Sequence, residues 1–455
     1  MADLKQNILT HLKEKNMEML KTKLSEAEPI EILYILHDLT PDEKVVVFRL
    51  LSKENALYIF EQLEPTLQYE LIKSFTDERA IELINEMTPD DRVSLFEELP
   101  ATVTKKLLSS ISPDERQVTN ILMGYAPETA GRIMTTEYTS LKRDMSVEEA
   151  LEKIRKESSQ TETIYTLYIT DSQKNLEGVL SLKDLVIAKA DAKINDIMST
   201  TIIKVSTNTD QEEVANTLKE LDLLAIPVVD KENRLVGIVT IDDAMDILEE
   251  EATEDIYDQA GFADITGNET NRSNVLINGS LFQIWKVRMP FLFITLVAGF
   301  AAGAVVGGFE ETLEAVAAVA IFIPLIMDMG GNVGTQSSTL FVRGVILGHI
   351  KVKYFLKHFL KETLVGFSIG TVIGILAAAV AIVWQGNVML AIAVGISLVL
   401  TMTLAAMLGF FVPFILIKFN VDQTAGSAPI ITSIKDIAGL TIYFVLVSYF
   451  LGNLL

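Results

Sequence analysis

Asp436 has more chemistry to offer than any other single residue in this 455-residue chain. It stands in an apolar stretch, approximately 430–454, with Thr432 and Ser433 just before it and Gly439 three residues after. Residues three and four apart share one face of a helix, so these positions form a polar stripe on an otherwise apolar span. A carboxylate about six residues, roughly 9 Å, inside a membrane span is costly and faces a cavity or a partner. Snorkelling to the interface and pairing with Lys435 are the alternatives. Adjacent residues point to different faces, so the Lys435 pair is expected to be poor. Carboxylate oxygen is a hard ligand, suited to magnesium or calcium rather than copper or zinc. Magnesium sheds water reluctantly. One carboxylate per subunit, duplicated by symmetry, would therefore hold a hydrated ion through its waters.

Two other constellations carry polar chemistry. The first is Gly330-Gly331-Asn332-Val333-Gly334-Thr335-Gln336-Ser337-Ser338, close behind Pro324 and Asp328. Three glycines with interleaved amides and hydroxyls suit a broken or tightly packed helix end whose oxygens face water or an ion. A polar cap on a helix leaving the membrane has the same composition. The second is an acid run: Asp242, Asp243, Asp246, Glu249, Glu250, Glu251, Glu254, Asp255 and Asp258 place nine acids in 17 residues. Two such runs brought together would repel strongly without counter-ions. A solvated helix or flexible linker is the plainer reading.

The elements that must position these groups follow from hydropathy. Five apolar stretches run approximately 289–308, 315–333, 363–384, 388–417 and 430–454. Each is long enough to cross a bilayer, and the fourth is long enough to tilt or to kink at Pro413. Lys286 and Arg288 precede the first stretch, and Lys418 follows the fourth. Arg343, Lys351, Lys353, Lys357 and Lys361 lie between the second and third. With five spans all three basic regions fall on one side, which puts the N-terminal half in the cytosol and the C-terminus outside. Gly299, Gly303 and Gly307 in the first stretch, and Gly366, Gly370 and Gly374 in the third, recur at the spacing that lets helix backbones approach.

Charge divides the chain at the same place. Of 38 basic and 61 acidic residues, nine and seven lie from Lys286 onward. The N-terminal part therefore carries about −25 and the C-terminal part about +2. That field repels nucleic acid and attracts cations. The absence of cysteine excludes disulfides and thiolate metal sites. The four histidines, His11, His37, His349 and His358, form no ligand-spaced pair on one helix, which argues against a zinc enzyme. Met1 to Lys15 is charged and lacks an apolar core, so no signal peptide is expected.

The soluble half contains two repeats. Pro41, Pro65, Pro89 and Pro113 are spaced by 24 residues. Thr40, Thr88 and Ser112 precede three of them, and Asp42-Glu43, Asp90-Asp91 and Asp114-Glu115 follow. A cap, a proline and acids in the first turn are a helix start. Their fixed period predicts a stacked, solenoid-like array over residues 1–125. Further on, Ile133-Met134-Thr135 recurs as Ile197-Met198-Ser199. Gly178-Val179-Leu180-Ser181-Leu182-Lys183-Asp184 recurs as Gly237-Ile238-Val239-Thr240-Ile241-Asp242-Asp243. Two αβ modules related by a pseudo-two-fold are expected there.

The paired modules resemble a tandem CBS domain. With the proline-periodic helical domain before them, the layout over nearly the whole chain resembles the MgtE family of magnesium channels. The motif from Gly330 to Gln336 matches that family's second-helix signature, and Glu249 to Tyr257 matches its acidic linker. Asp422, Pro429, Thr432 and Asp436 match its last-helix pattern. Asp422-Gln423-Thr424 departs from the Asp-Pro-Ala of many members. The resemblance implies a multidomain protein: a helical superhelix N domain (1–125), an α/β tandem CBS domain (126–242), an acidic plug helix and linker (243–270) and an all-α domain of five transmembrane helices (271–455). It implies a homodimeric, magnesium-gated magnesium channel of the plasma membrane that takes up the ion and is not an enzyme. Asp436 would be the pore ligand, with Asn332 and Asp422 at or near the cytosolic mouth. Asp91, Asp210, Asp222, Asp243, Asp246, Glu251, Glu254 and Asp255 would bind the regulatory ion. Tandem CBS modules often bind adenine nucleotides, and Thr240 and Asp243 fit a ribose- or phosphate-contacting pattern for ATP. An ion-coupled secondary transporter of divalent cations, using Asp436 as its coupling group, is the alternative. A membrane-bound enzyme is disfavoured because neither a nucleophile–base pair nor a phosphate loop stands out.

Overall fold

In a computed structural model of the chain, the described residues are 2–14, 16–63, 65–74, 77–263, 269–419, 421–424 and 426–452. The chain divides into two units, Met1–Glu251 and Ala252–Leu455.

The first unit begins with ten described helices between Ala2 and Leu122. The proline period marks every second helix, at Pro41–Leu50, Pro65–Ser74, Pro89–Glu98 and Pro113–Leu122. Thr40 closes a capping box with Glu43, and Ser112 accepts the Glu115 backbone N–H. The caps set where each helix starts, and the apolar faces then stack into one core through Phe48, Ile59, Phe60, Ile84 and Phe96. Arg92 is buried in the last of these layers. Its Nη1 meets Glu115 at 2.5 Å and its Nη2 donates to the Met87 carbonyl at 2.6 Å.

Two three-stranded sheets follow. The first joins β1 (Tyr138–Leu141), β2 (Thr163–Thr170) and β3 (Leu176–Ser181); the second joins β4 (Val205–Ser206), β5 (Ala225–Val229) and β6 (Leu235–Thr240). In each, the first pair is parallel and the second antiparallel. The modules are cross-stitched. Thr135, from the opening segment of the first, exchanges backbone hydrogen bonds of 2.9 and 3.0 Å with Ile238 on β6. Ser199, from the opening segment of the second, does the same with Val179 on β3 at 2.8 and 2.9 Å. Gly178 and Gly237 permit this: a methyl group on either would stand about 2.7 Å or less from Met198 or Met134. The sequence repeat is thus the stitch itself.

β6 runs straight into the linker helix, Ile241–Ala260, whose first turn carries Asp242 and Asp243 at the positive end of its dipole. The helix begins two residues before the expected start. A short helix, Glu269–Asn278, precedes the membrane spans.

Among the described residues, five helical segments are long and apolar enough to span a membrane: Leu281–Gly307, Ala317–Ile346, Val352–Gln385, Val388–Lys418 and Ser427–Leu451. The second differs from expectation. It opens as a 3-10 turn, Ala317–Phe322, and then runs as one α-helix from Ile323 to Ile346. The Gly-rich motif therefore lies inside the helix rather than at a broken or capped end. Its hydroxyls and amides leave the backbone ladder intact, and its glycines serve close approach. The third and fourth spans pack through Gly366, Gly370 and Gly374; a methyl at Gly374 would stand 2.6 Å from the Gly395 carbonyl. The first-span glycines do not pack within the chain: among the described residues nothing lies within 4 Å of a methyl built at Gly299, Gly303 or Gly307. The fourth span continues through Pro413.

Candidate functional site

The intramembrane site is built where the second and fifth spans cross. Gly330 and Gly334 are buried there, and a methyl at Gly334 would stand 2.9 Å from Ile431. The fifth span starts at Ser427, earlier than expected, which puts Asp436 nine residues along it rather than six. Asp436 is 20% exposed and ion-pairs with Lys435, which is 3% exposed at its side chain. This corrects the expectation that the adjacent pair would be poor. The backbone directions of the two residues do diverge, but the lysine stem is long enough to curl back. Its Nζ also donates to the Met327 carbonyl on the second span. Thr401, on the fourth span, closes the crossing from behind against Gly439 and Gly330.

Asn332 is exposed on the second span and its Nδ2 approaches Asp328 Oδ2 at 3.4 Å. Asp328, Asn332, Thr335 and Gln336 are all exposed and share one face of that helix. In hydrocarbon such a face needs water or a partner. Asp422 is exposed in the loop before the fifth span, where its Oδ1 accepts the Thr424 backbone N–H at 2.6 Å. That bond closes the turn at the Asp422-Gln423-Thr424 departure. An acid passed over in the sequence is Glu362, on the third span, which accepts a 2.6 Å hydrogen bond from Ser337 of the second. Its signal was an acid at the edge of an apolar stretch, diluted by the basic residues just before it.

Within the same unit the end of the linker helix is held at the start of the fifth span. The Gly426 N–H donates to the Asp258 carbonyl at 2.9 Å, and Gln259 Nε2 donates to Thr339 at 3.0 Å. Buried Arg272 takes the Asp258 carboxylate and the Phe262 carbonyl. Gly261 turns the chain at a φ of 79°, a left-handed conformation that favours glycine. Glu254 and Asp255 lie on this half of the helix.

The acids of the first unit gather in two groups. Glu61 ends one helix, Asp90 and Asp91 open another, Glu162 precedes β2, and Asp242 and Asp243 open the linker helix. Burial pushes Glu61 up to about 8, and the charge of Asp91 adds to it. Burial, with Asp242 and Asp91 nearby, pushes Glu162 up to about 7. Asp243 rises to about 7 by burial, although Thr240 Oγ1 donates to its carboxylate and opposes the shift. Asp90 and Asp91 are raised by burial and by neighbouring acids, Asp243 foremost for Asp90 and, for Asp91, Asp242 and then Asp246. Asp90 Oδ1 is shut off from solvent with no hydrogen-bond partner among the described residues. The second group centres on Glu251, which burial pushes up to about 7 against a 2.6 Å hydrogen bond from Gln211, with Glu212, Asp210 and Glu128 adding charge. Asp210 also caps its helix by accepting the Glu212 N–H at 2.9 Å. Asp222 is exposed in the turn after that helix, at a φ of 51°.

Of the expected acids, Asp91 stands within electrostatic reach of Asp243 and Asp246, with Asp90, Glu61 and Glu162 feeling the same charges; Glu61 and Glu162 were not singled out in the sequence. Glu61 and Glu162 carry no repeat or motif; only folding brings them in. Among the described residues no three of these side chains close tightly enough to cage a bare ion. The donor set, hard oxygens held apart, suits an ion that keeps its waters.

Five spans with an acid-bearing polar seam, joined to soluble modules dense in strained carboxylates, define a multi-pass cation transport protein with cytosolic sensing domains. Comparison with known proteins agrees part by part. The family model described as the MgtE divalent cation transporter matches residues 323–446, the MgtE intracellular N domain matches 27–128, and CBS domains match 130–191 and 194–250. The magnesium transporter MgtE of Thermus thermophilus is 36% identical over 72% of this chain and 71% of its own. That of Bacillus subtilis is 36% identical over 75% and 73%. A crystal structure of the cytosolic domain of the Mg2+ channel MgtE in complex with ATP aligns at 34% identity and a TM-score of 0.52, covering 53% of this chain and 99% of that one. The soluble part of a magnesium transporter aligns at 30% identity and a TM-score of 0.52, covering 55% and 99%. The chain belongs to the MgtE family. It is a transport protein rather than an enzyme.

Proposed function

We propose that this chain is a magnesium-selective channel that carries Mg2+ into the cell across the plasma membrane and closes when cytosolic Mg2+ is high. The observation that carries the sensor is the gathering of Glu61, Asp90, Asp91, Glu162 and Asp243, raised in pKa and leaving one Asp90 oxygen without a partner among the described residues. Such a group is stable only protonated or beside a cation. Asp91, Asp243 and Asp246 hold one regulatory ion with Glu61, Asp90 and Glu162; Glu251 and Asp210 serve another, with Asp222, Glu254 and Asp255 offered to further ions. A divalent ion supplies the positive charge that removes the repulsion, and the compact form is then favoured. The linker helix carries that change from the acids to the Asp258–Gly426 contact at the foot of the fifth span.

Permeating Mg2+ is the cargo. Asp436 is its pore ligand, and Asn332 and Asp422 guide it at the cytosolic mouth. The exposed polar face from Asp328 to Gln336 and the open first-span glycines support a homodimer, in which a second copy completes the water-filled path. The remaining apolar faces of the spans meet membrane lipid, and the C-terminus lies outside, as the basic loops indicate. Other divalent cations that accept hard oxygen ligands share the path with Mg2+. Thr240 and Asp243 contact the ribose of ATP; their mutual hydrogen bond shows a hydroxyl and a carboxylate already aligned at one spot.

Single-channel recording of the full chain in liposomes tests the channel. Unitary currents that vanish at high cytosolic Mg2+ are expected; no unitary current at any magnesium level points instead to an ion-coupled transporter. Neutralising Asp243, Asp246 and Glu251 together is expected to hold the channel open at high Mg2+. Unchanged closure in that variant removes the sensor reading.

A further inference from the structure

Lys435 has no part in the function argued so far, yet it is the most deeply placed positive charge in the spans. The residue is 2% exposed. Its Nζ is bound by the Asp436 carboxylate and by the Met327 carbonyl. It lies over Gly330 and Gly331 of the second span. A methyl added at Gly331 would stand 3.2 Å from Nζ, and one at Gly330 would stand 3.2 Å from Cδ. Two consecutive glycines thus provide the floor on which the ammonium rests.

The two oxygens that hold Nζ are the kind a magnesium ion and its waters would use: one carboxylate and one backbone carbonyl. Charge-assisted bonds to such oxygens are strong in a site shielded from bulk water. An arriving cation and the ammonium cannot both take the Asp436 oxygen. Conduction requires binding firm enough to admit an ion and weak enough to release it.

We propose that Lys435 is a tethered counter-cation in the ion path, one that competes with magnesium for Asp436 and so sets the affinity of the pore. Without an ion, Nζ neutralises Asp436 and spares the membrane an unpaired carboxylate. When a hydrated ion reaches Asp436, the flexible stem swings Nζ away from the carboxylate. When the ion leaves, Nζ returns and prevents the ion from settling. The residue is specificity-determining because a doubly charged ion displaces an ammonium from one carboxylate more readily than a singly charged ion does.

The proposal rests on Asp436 being the pore ligand, and the experiment separates the two. Magnesium uptake by the full chain in liposomes is measured against external Mg2+ for the wild type, Lys435→Met, Lys435→Gln and Asp436→Asn. Met keeps the apolar stem; Gln also keeps a donor for the Met327 carbonyl. Both neutral variants are expected to lower the half-saturating Mg2+ by about tenfold or more, and to admit Na+ current that the wild type excludes. A half-saturating Mg2+ that stays put or rises in both, while Asp436→Asn abolishes uptake, overturns the role of Lys435 and leaves the pore ligand standing. Wild-type uptake by Asp436→Asn overturns both. If neither neutral variant yields folded protein, Lys435 is a structural pin between two spans and the proposal falls.

Discussion

Glu61→Gln offers a direct measure of what the cytosolic acids do to the empty protein. An ordinary glutamate ionises near 4.5, whereas Glu61 does so at about 8 because it is buried beside Asp91. The folded pKa is raised, so the sign is fixed: Glu61 is harmless to stability below about pH 4.5 and a growing burden as pH rises to about 8. At pH 7 the upper bound on that burden is about 3 kcal/mol. Glu61 retains some solvent exposure, which screens its neighbours and brings the expected value to about 1–2 kcal/mol. Glutamine has the same shape and no charge. The variant is therefore expected to raise the melting temperature of the magnesium-free cytosolic transition at pH 7 by about 2–8 °C. The assay is thermal unfolding of the full chain in detergent, followed by proteolytic cleavage in residues 1–251 so that the two units are not averaged. Added magnesium should then stabilise the variant less than the wild type, because one acid fewer awaits the ion. Lower stability of Glu61→Gln without magnesium, or a gain at pH 7 no larger than at pH 5, would show that Glu61 is not a buried charge burdening the empty protein.

Asp436→Ala should abolish magnesium uptake while the protein still elutes at the size of the wild type; normal uptake would remove this carboxylate from the path. Glu61, Glu162, Asp243 and Glu251 ionise at about 7 to 8. Magnesium binding should therefore release protons at pH 6 and almost none at pH 9, as read by calorimetry in two buffers of different ionisation heat. Glu362→Ala strands the buried Ser337 hydroxyl and should lower stability by about 1–3 kcal/mol, with Glu362→Gln recovering most of it. Gly374→Val drives a side chain against the Gly395 carbonyl and should separate the third and fourth spans, at a cost of about 1–3 kcal/mol or more, read as lower yield of folded protein.

Local signals carried most of the architecture into the sequence. Proline with its cap and acids states where a helix begins, and helices do begin at Pro41, Pro65, Pro89 and Pro113. Twenty apolar residues in a row state a span whatever surrounds them. Side-chain reach and distant neighbours were less legible. Helix periodicity says that residues 435 and 436 diverge, but it cannot say that a lysine stem will fold back along the groove over Gly330 and Gly331. The Gly-rich motif reads as a break when taken alone; only the fifth span, packed against it, makes it a groove in a continuous helix. Glu61 and Glu162 became part of the acidic group through contacts spanning much of the soluble half, and no pattern within either segment records that. The first-span glycines were read as packing, and among the described residues nothing packs on them.

The stitched modules have a consequence for how the protein is made. Residues 133–135 border a strand that is synthesised about a hundred residues later. When the ribosome has delivered the first half, its sheet still lacks the segment around Ser199, and its own opening segment has nothing to pair with. Neither half can reach its final hydrogen bonding until both have left the tunnel. The linker helix follows at once, fused to the last strand. The soluble half is thus completed only as the chain arrives at its first membrane span, so that the finished sensor and the start of insertion coincide in time.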